Sequence, residues 1–67
     1  MNIILTPREK EIFHLLVKNC STKDIARKLN ISEKTVRNHI SNVIQKLGVK
    51  SRIQAVFELI RLKELQL

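Results

Sequence analysis

The chain has 67 residues, of which 43% are hydrophobic and 28% are charged, and its formal net charge is +7. This length allows one small domain, and the apolar runs are far too short to span a bilayer. A single cysteine excludes an internal disulfide framework and no secretory signal is visible, so we expect a soluble intracellular domain.

Helix signals recur along the chain, and no segment with strand periodicity competes with them. Thr6 offers a hydroxyl cap, Pro7 suits the first helical position, and Glu9 lies three residues after the cap. These signals predict a first helix from Pro7 to about Lys18, followed by Asn19 in a left-handed conformation. Helical spacing turns four apolar side chains inward, namely Ile12, Phe13, Leu16 and Val17.

Two short amphipathic helices joined by a tight turn are predicted over about residues 21–40. Ser21 or Thr22 caps the first of them and Ser32 caps the second. Asn30 in the turn can adopt a positive φ, and the small Ala26 lets the two helix backbones approach closely. The predicted inward positions are Ile25, Ala26, Leu29, Val36, Ile40, Val43, Ile44 and Leu47.

The end of the chain predicts a fourth helix. Gly48, the only glycine, ends the third helix, and Ser51 with Gln54 forms a capping box that opens the fourth. This helix is expected to run from Arg52 to about Leu62 or beyond, with an outer limit near residue 65. The predicted fold class is therefore all-α, a single domain over residues 1–67 with four helices and short connections.

Positive charge concentrates in the middle of the chain. Nine basic and two acidic residues lie between Lys18 and Arg52, so this stretch holds the whole net charge. The thirteen positions from Lys34 to Lys46 contain no acidic residue. An acid-free polar helix face is typical of a helix that enters the DNA major groove. The alternative is an ordinary solvated face, which usually mixes both charge signs.

Side-chain chemistry divides this face into base readers and phosphate contacts. Asn and Gln offer a donor and an acceptor to adenine, and Arg binds guanine through two hydrogen bonds. The predicted base readers are Arg37, Asn38 and Ser41, with Lys34, Asn42 and Gln45 as second-rank candidates. The predicted phosphate contacts are Thr35, His39 and Lys46, with Thr22 and Lys23 at the start of the second helix.

The fourth helix is too apolar for a single buried face. We assign Ala55, Val56 and Leu59 to the core, and Ile53, Phe57 and Ile60 to a homodimer interface. A two-fold dimer would place two third helices about one helical turn (~34 Å) apart along a duplex. The alternative is that all these side chains belong to the core, with some tolerated exposure.

Patterns of catalysis and metal binding are missing from the sequence. His14 and His39 have no Cys or paired carboxylate partners at metal-ligand spacing. Neither a Gly-rich phosphate cradle nor a nucleophile with a nearby base occurs. We therefore expect no enzymatic activity, no metal, no cofactor, no small-molecule ligand and no membrane partner.

Five segments together resemble the LuxR/GerE family of bacterial transcription regulators. They are Leu5–Glu9, Lys23–Ala26, Ile31–Ile40, Lys46–Val49 and Arg52–Val56. The resemblance covers nearly the whole chain, and it is greatest to a small stand-alone member that regulates late sporulation genes. It implies a four-helix helix-turn-helix domain, with the third helix in the major groove and the fourth helix forming the dimer.

The resemblance also implies roles for individual residues. Arg37, Asn38 and Ser41 match base-facing positions of the family, and Thr35, His39 and Lys46 match positions that hold the DNA backbone. Glu9 and Arg52 are similar to structural positions, so their charges are expected to serve packing and capping. The chain departs from the family at two sites, with Asn19 in place of a usual Gly and Thr22 in place of a frequent Asn.

Three functional interpretations follow. The first is a dimeric regulator that binds specific double-stranded DNA in the bacterial cytoplasm, at the nucleoid, with RNA polymerase as a further partner. Many family members attach this domain to a phosphorylation receiver or a ligand-binding domain. The second interpretation is therefore the effector domain of a response regulator. The third is a protein-interaction adaptor that uses the apolar fourth helix.

Overall fold

A computed structural model describes residues 5–66. Over this range the chain forms four helices and no strand: α1 (Pro7–Val17), α2 (Thr22–Leu29), α3 (Glu33–Leu47) and α4 (Arg52–Arg61). The all-α prediction is confirmed. α3 is the longest helix and packs against each of the other three, so it lies at the centre of the domain.

Each helix begins at a hydroxyl side chain that accepts the amide three residues later. Thr6 accepts from Glu9 at 3.1 Å, and Ser21 accepts from Asp24 at 3.0 Å. Ser32 and Ser51 cap α3 and α4 in the same way, as predicted. Ser21 rather than Thr22 is thus the cap of α2, because Thr22 is already the first helical residue.

Four residues with positive φ follow helix ends within residues 5–66. The sequence predicts three of them, and the fourth is Lys63 after α4, with φ 62°. Asn19 has φ 67°, Asn30 has φ 58°, and Gly48 has φ 69°. Asn30 reverses the chain between α2 and α3, and the amide of Ile31 donates to the carbonyl of Ala26 at 3.0 Å. These residues close the helices and keep the connections short.

The core lies where the apolar stripes of the four helices meet. Its buried apolar members are Leu5, Ile12, Phe13, Ile25, Ala26, Val36, Ile40, Val43, Ala55, Leu59 and Leu65. Other predicted core residues are half-buried against this cluster, namely Leu16, Val17, Leu29, Ile44, Leu47 and Val56. The core therefore fixes α3 against α2 and leaves the opposite side of α3 in solvent.

Two predictions about α4 are wrong in detail. The capping box is only half formed, because the side chain of Gln54 accepts from the amide of Lys50 at 2.9 Å rather than from that of Ser51. The helix ends at Arg61, which agrees with the predicted end at about Leu62, whereas the extension to about residue 65 is wrong. The amide of Glu64 bonds back to the carbonyl of Leu59 at 2.8 Å, and this closure ends the helix and carries Leu65 onto the core.

Candidate nucleic-acid interface

The solvent-facing side of α3 follows from the burial of its other side. Val36, Ile40 and Val43 are at most 3% exposed. Because successive helical residues rotate by about 100°, the intervening polar residues point away from the core. All six predicted base readers are exposed there, and we call this surface the α3 face: Lys34, Arg37, Asn38, Ser41, Asn42 and Gln45.

The first turn of α3 is ordered by its own polar side chains. The Ser32 hydroxyl accepts from the amide of Thr35 at 3.0 Å and lies 2.9 Å from the Thr35 hydroxyl. An Arg37 guanidinium nitrogen lies 3.7 Å from a Glu33 carboxylate oxygen, and both side chains are about half exposed. Such an exposed pair contributes only ~0.3–0.5 kcal/mol, so a guanine or a phosphate can displace the carboxylate.

The N-terminus of α2 combines features that favour and oppose an anion. Thr22 is half-buried, Lys23 is exposed, and the first amides of a helix favour negative charge. The Asp24 carboxylate lies at the same end and accepts from the amide of Ser21 at 3.2 Å. Hydrogen bonds from the Ser21 amide and hydroxyl lower the pKa of Asp24 and keep it ionised. The spacing of Ser21 and Asp24 is the sequence signal for this charge, because it places Asp24 in the first turn of α2.

Lys46, predicted to contact phosphate, forms an ion pair inside the domain. Its ammonium nitrogen lies 2.6 Å from Oε1 of Glu9, whose side chain is only 4% exposed. The same carboxylate oxygen accepts from the amide of Thr6 at 2.9 Å. Burial alone would raise the pKa of Glu9, but the hydrogen bond and charge of Lys46, with the Thr6 amide, lower it overall. The pair joins α1 to the last turn of α3.

The three predicted interface residues of α4 line one groove beside α1. Ile53 is 64% exposed and Phe57 is 67% exposed, whereas Ile60 is half-buried. The groove has a volume of about 420 Å³, and Val17 and Cys20 form part of its α1 side. We call it the α4 groove. Two large apolar side chains with this exposure mark a surface suited to a partner.

The chemistry offered by the α3 face is hydrogen bonding and charge. Amide, hydroxyl, guanidinium and ammonium groups match base edges and phosphate oxygens. No cluster of three or more His, Cys, Asp or Glu side chains within residues 5–66 is arranged to hold a metal ion. In the same range, every helix is too short or too polar to cross a bilayer.

Comparison with known proteins places this geometry in a family. The model of the luxR family of bacterial regulatory proteins matches residues 3–59. The spore germination protein GerE of Bacillus subtilis (strain 168) is 66% identical over 64 residues, which cover 96% of this chain and 86% of that protein. The transcriptional regulatory protein DegU of Brevibacillus brevis is 50% identical over 58 residues, but the chain spans only 25% of its length.

The fold agrees with this similarity. A solved structure of the transcription factor GerE superposes with a TM-score of 0.93 at 66% identity and covers 97% of each chain. The helix-turn-helix of α2 and α3 and the exposed polar α3 face are thus parts of a known DNA-binding domain type. The chain belongs to the luxR family of bacterial regulatory proteins, and it is a GerE-like transcription regulator with an all-α helix-turn-helix DNA-binding domain.

Proposed function

We propose that this protein binds specific double-stranded DNA as a homodimer, with α3 in the major groove. The observation that carries the proposal is the α3 face, whose exposed residues from Lys34 to Gln45 are all polar or basic. The one acid of α3 is Glu33 at its first position. A helix held by its buried side against a rigid core presents these groups in a fixed arrangement, as base reading requires.

Within the α3 face we assign direct base contacts to Arg37, Asn38 and Ser41. The side chains of Arg37 and Asn38 can each make paired hydrogen bonds to a purine edge, and Ser41 lies one turn further along the same face. Lys34, Asn42 and Gln45 are also exposed and serve as second-rank base readers.

Phosphate contacts are proposed at the edges of this face. Thr35 and His39 are half-buried along α3, and Thr22 and Lys23 lie at the start of α2. Lys46 can approach a phosphate while it holds Glu9, because its side chain remains 37% exposed. These groups would position the helix, while the base readers would select the sequence.

The homodimer is proposed to form through Ile53, Phe57 and Ile60 in the α4 groove. A second copy would cover Ile53 and Phe57, which are otherwise mostly in water. The described part of one protomer extends 32 × 22 × 20 Å. A two-fold pair of this size can present its two α3 helices about one turn of DNA apart (~34 Å).

The biological role is proposed from the relatives. The match to spore germination protein GerE favours control of spore-associated genes. We further propose that the protein acts in the cytoplasm at the nucleoid, with RNA polymerase as a further partner. A second candidate is the effector domain of a response regulator. The nitrate/nitrite response regulator protein NarP of Escherichia coli (strain K12) favours it, since this chain matches 24% of the length of that protein at 50% identity.

Salt dependence of duplex affinity tests DNA binding against an adaptor role. A protein that contacts several phosphates loses ~10³-fold or more in affinity between 50 and 200 mM salt. Lys23→Gln should reduce the slope of log affinity against log salt by about 1, whereas Lys63→Gln, a matched exposed lysine after α4, should leave it unchanged. A flat salt response would instead favour the adaptor.

A further inference from the structure

A second apolar groove lies between α1 and α2, away from the α3 face. It has a volume of about 580 Å³. Leu15 and Leu29 are half-buried against the core and form its floor, while Pro7 and His14 are exposed at its α1 side. Pro7, Leu15 and Leu29 are the apolar residues of its lining. We call it the α1–α2 groove.

The α1–α2 groove shares no residue with either surface used above. None of the proposed DNA contacts lines it, and none of its lining residues lines the α4 groove. A dimer on DNA that uses those two surfaces therefore leaves this groove available to a third molecule.

Basic side chains flank the groove from both helices. Lys10 on α1 and Lys28 on α2 are exposed at its lining, and neither belongs to an ion pair found within residues 5–66. The one acid of the lining, Glu11, is paired with Arg8 at 3.7 Å. The rim is thus net positive above an apolar floor.

We infer that the α1–α2 groove docks an amphipathic helix of a second protein, with apolar side chains against Leu15 and Leu29 and acidic side chains beside Lys10 and Lys28. Helices bind apolar grooves through residues spaced i, i+3, i+4 and i+7. Complementary rim charges then select the partner and its orientation. This docking goes beyond the proposed DNA binding and does not depend on it.

The test is a selection of displayed random peptides of about 16 residues, long enough for an amphipathic helix, on the purified full chain. The expected peptides carry apolar residues at helical spacing flanked by Asp or Glu, and they shift the NMR amide signals of Leu15 and Leu29. Exchange of both rim charges, Lys10→Glu with Lys28→Glu, should weaken their binding about tenfold or more.

The matched control reverses two exposed lysines elsewhere, Lys18→Glu with Lys63→Glu, and should leave peptide affinity unchanged. Circular dichroism of both variants verifies the fold. The inference would be overturned if the selection enriched no acidic amphipathic peptides. It would also be overturned if both variants lost the same amount of peptide affinity. The inference would fail too if the rim variant dissociated the dimer or bound DNA more weakly than the control variant. The groove would then bind a second copy of the chain or a DNA phosphate. Peptide binding and DNA binding are measured separately, so a failure of the proposed DNA binding would leave these outcomes unchanged.

Discussion

Glu9 is the charged side chain that the core of this domain encloses, and its environment explains why it stays ionised. Among the described residues it is the one buried charged or polar side chain, at 3% exposure. Lys46 and the Thr6 amide both donate to its Oε1. One carboxylate thereby completes the cap of α1 and holds the C-terminal end of α3.

Replacing Glu9 by Gln should make the free energy of unfolding less dependent on pH in the acid range. A carboxylate whose pKa is lowered by folding stabilises the native state fully above its unfolded pKa of about 4.3, and this contribution is lost as pH falls through the folded pKa. We expect Glu9→Gln to lose about 1–3 kcal/mol of stability at pH 7, and its difference from the parent protein should shrink as pH falls below the unfolded pKa of Glu9. Urea denaturation across pH measures this.

The control for that experiment is Glu11→Gln, which removes an exposed carboxylate from the same helix. It should shift stability by less than about 0.5 kcal/mol at any pH. A constant gap between parent and Glu9→Gln from pH 7 to pH 3 would contradict the assigned role of the charge.

At the α3 face, Asn38→Ala should weaken binding to the cognate site by about 1–3 kcal/mol and relax base preference at one position. Asn38 is exposed and contributes nothing to the core, so the fold should be unaffected. Random duplex DNA is the internal control, because its affinity depends on phosphate contacts. An equal loss on cognate and random duplexes would show that Asn38 does not read a base.

At the scale of the helix, α3 is defined by a hydroxyl at one end and a left-handed residue at the other. Gly48 has φ 69°, and a Cβ added there would meet no atom within 4 Å. Gly48→Ala should therefore destabilise by about 1–2 kcal/mol through backbone strain alone. Gly48→Asn should be milder, since Asn tolerates this conformation. Thermal unfolding ranks the stability of the parent protein, Gly48→Ala and Gly48→Asn. Equal stability of the parent protein and Gly48→Ala would contradict a role for backbone strain.

Some features of the helices could be predicted from the sequence, and others could not. Starts at Thr6, Ser32 and Ser51 were predictable because each cap is a contact over three residues. The end of α4 was not, because it depends on the burial of Leu65 in the assembled core. The Glu9–Lys46 pair spans 37 positions, so no local pattern contains it. The exposed side of α3 was predictable from helical periodicity, whereas the engagement of its Lys46 was not.

For the whole molecule, the proposed function requires two copies on DNA. Phe57→Glu should give a folded monomer with weakened binding to a two-half-site duplex, because the side chain is 67% exposed and a charge there disfavours only the dimer. Ile60 is less suitable for this test, since it is half-buried against the core. Sedimentation velocity measures the mass, with exposed Gln66→Glu as the charge-matched control. A dimer that survives Phe57→Glu would place the interface elsewhere.

Selection of binding sites from random DNA duplexes at near-physiological salt tests whether the protein binds specific DNA as a dimer. We expect an enriched short motif repeated as two half-sites, with centres about one helical turn (~10 bp) apart. Retention of DNA without any enriched motif, or no retention at all, would contradict the claim that a dimer of this protein reads sequence through α3.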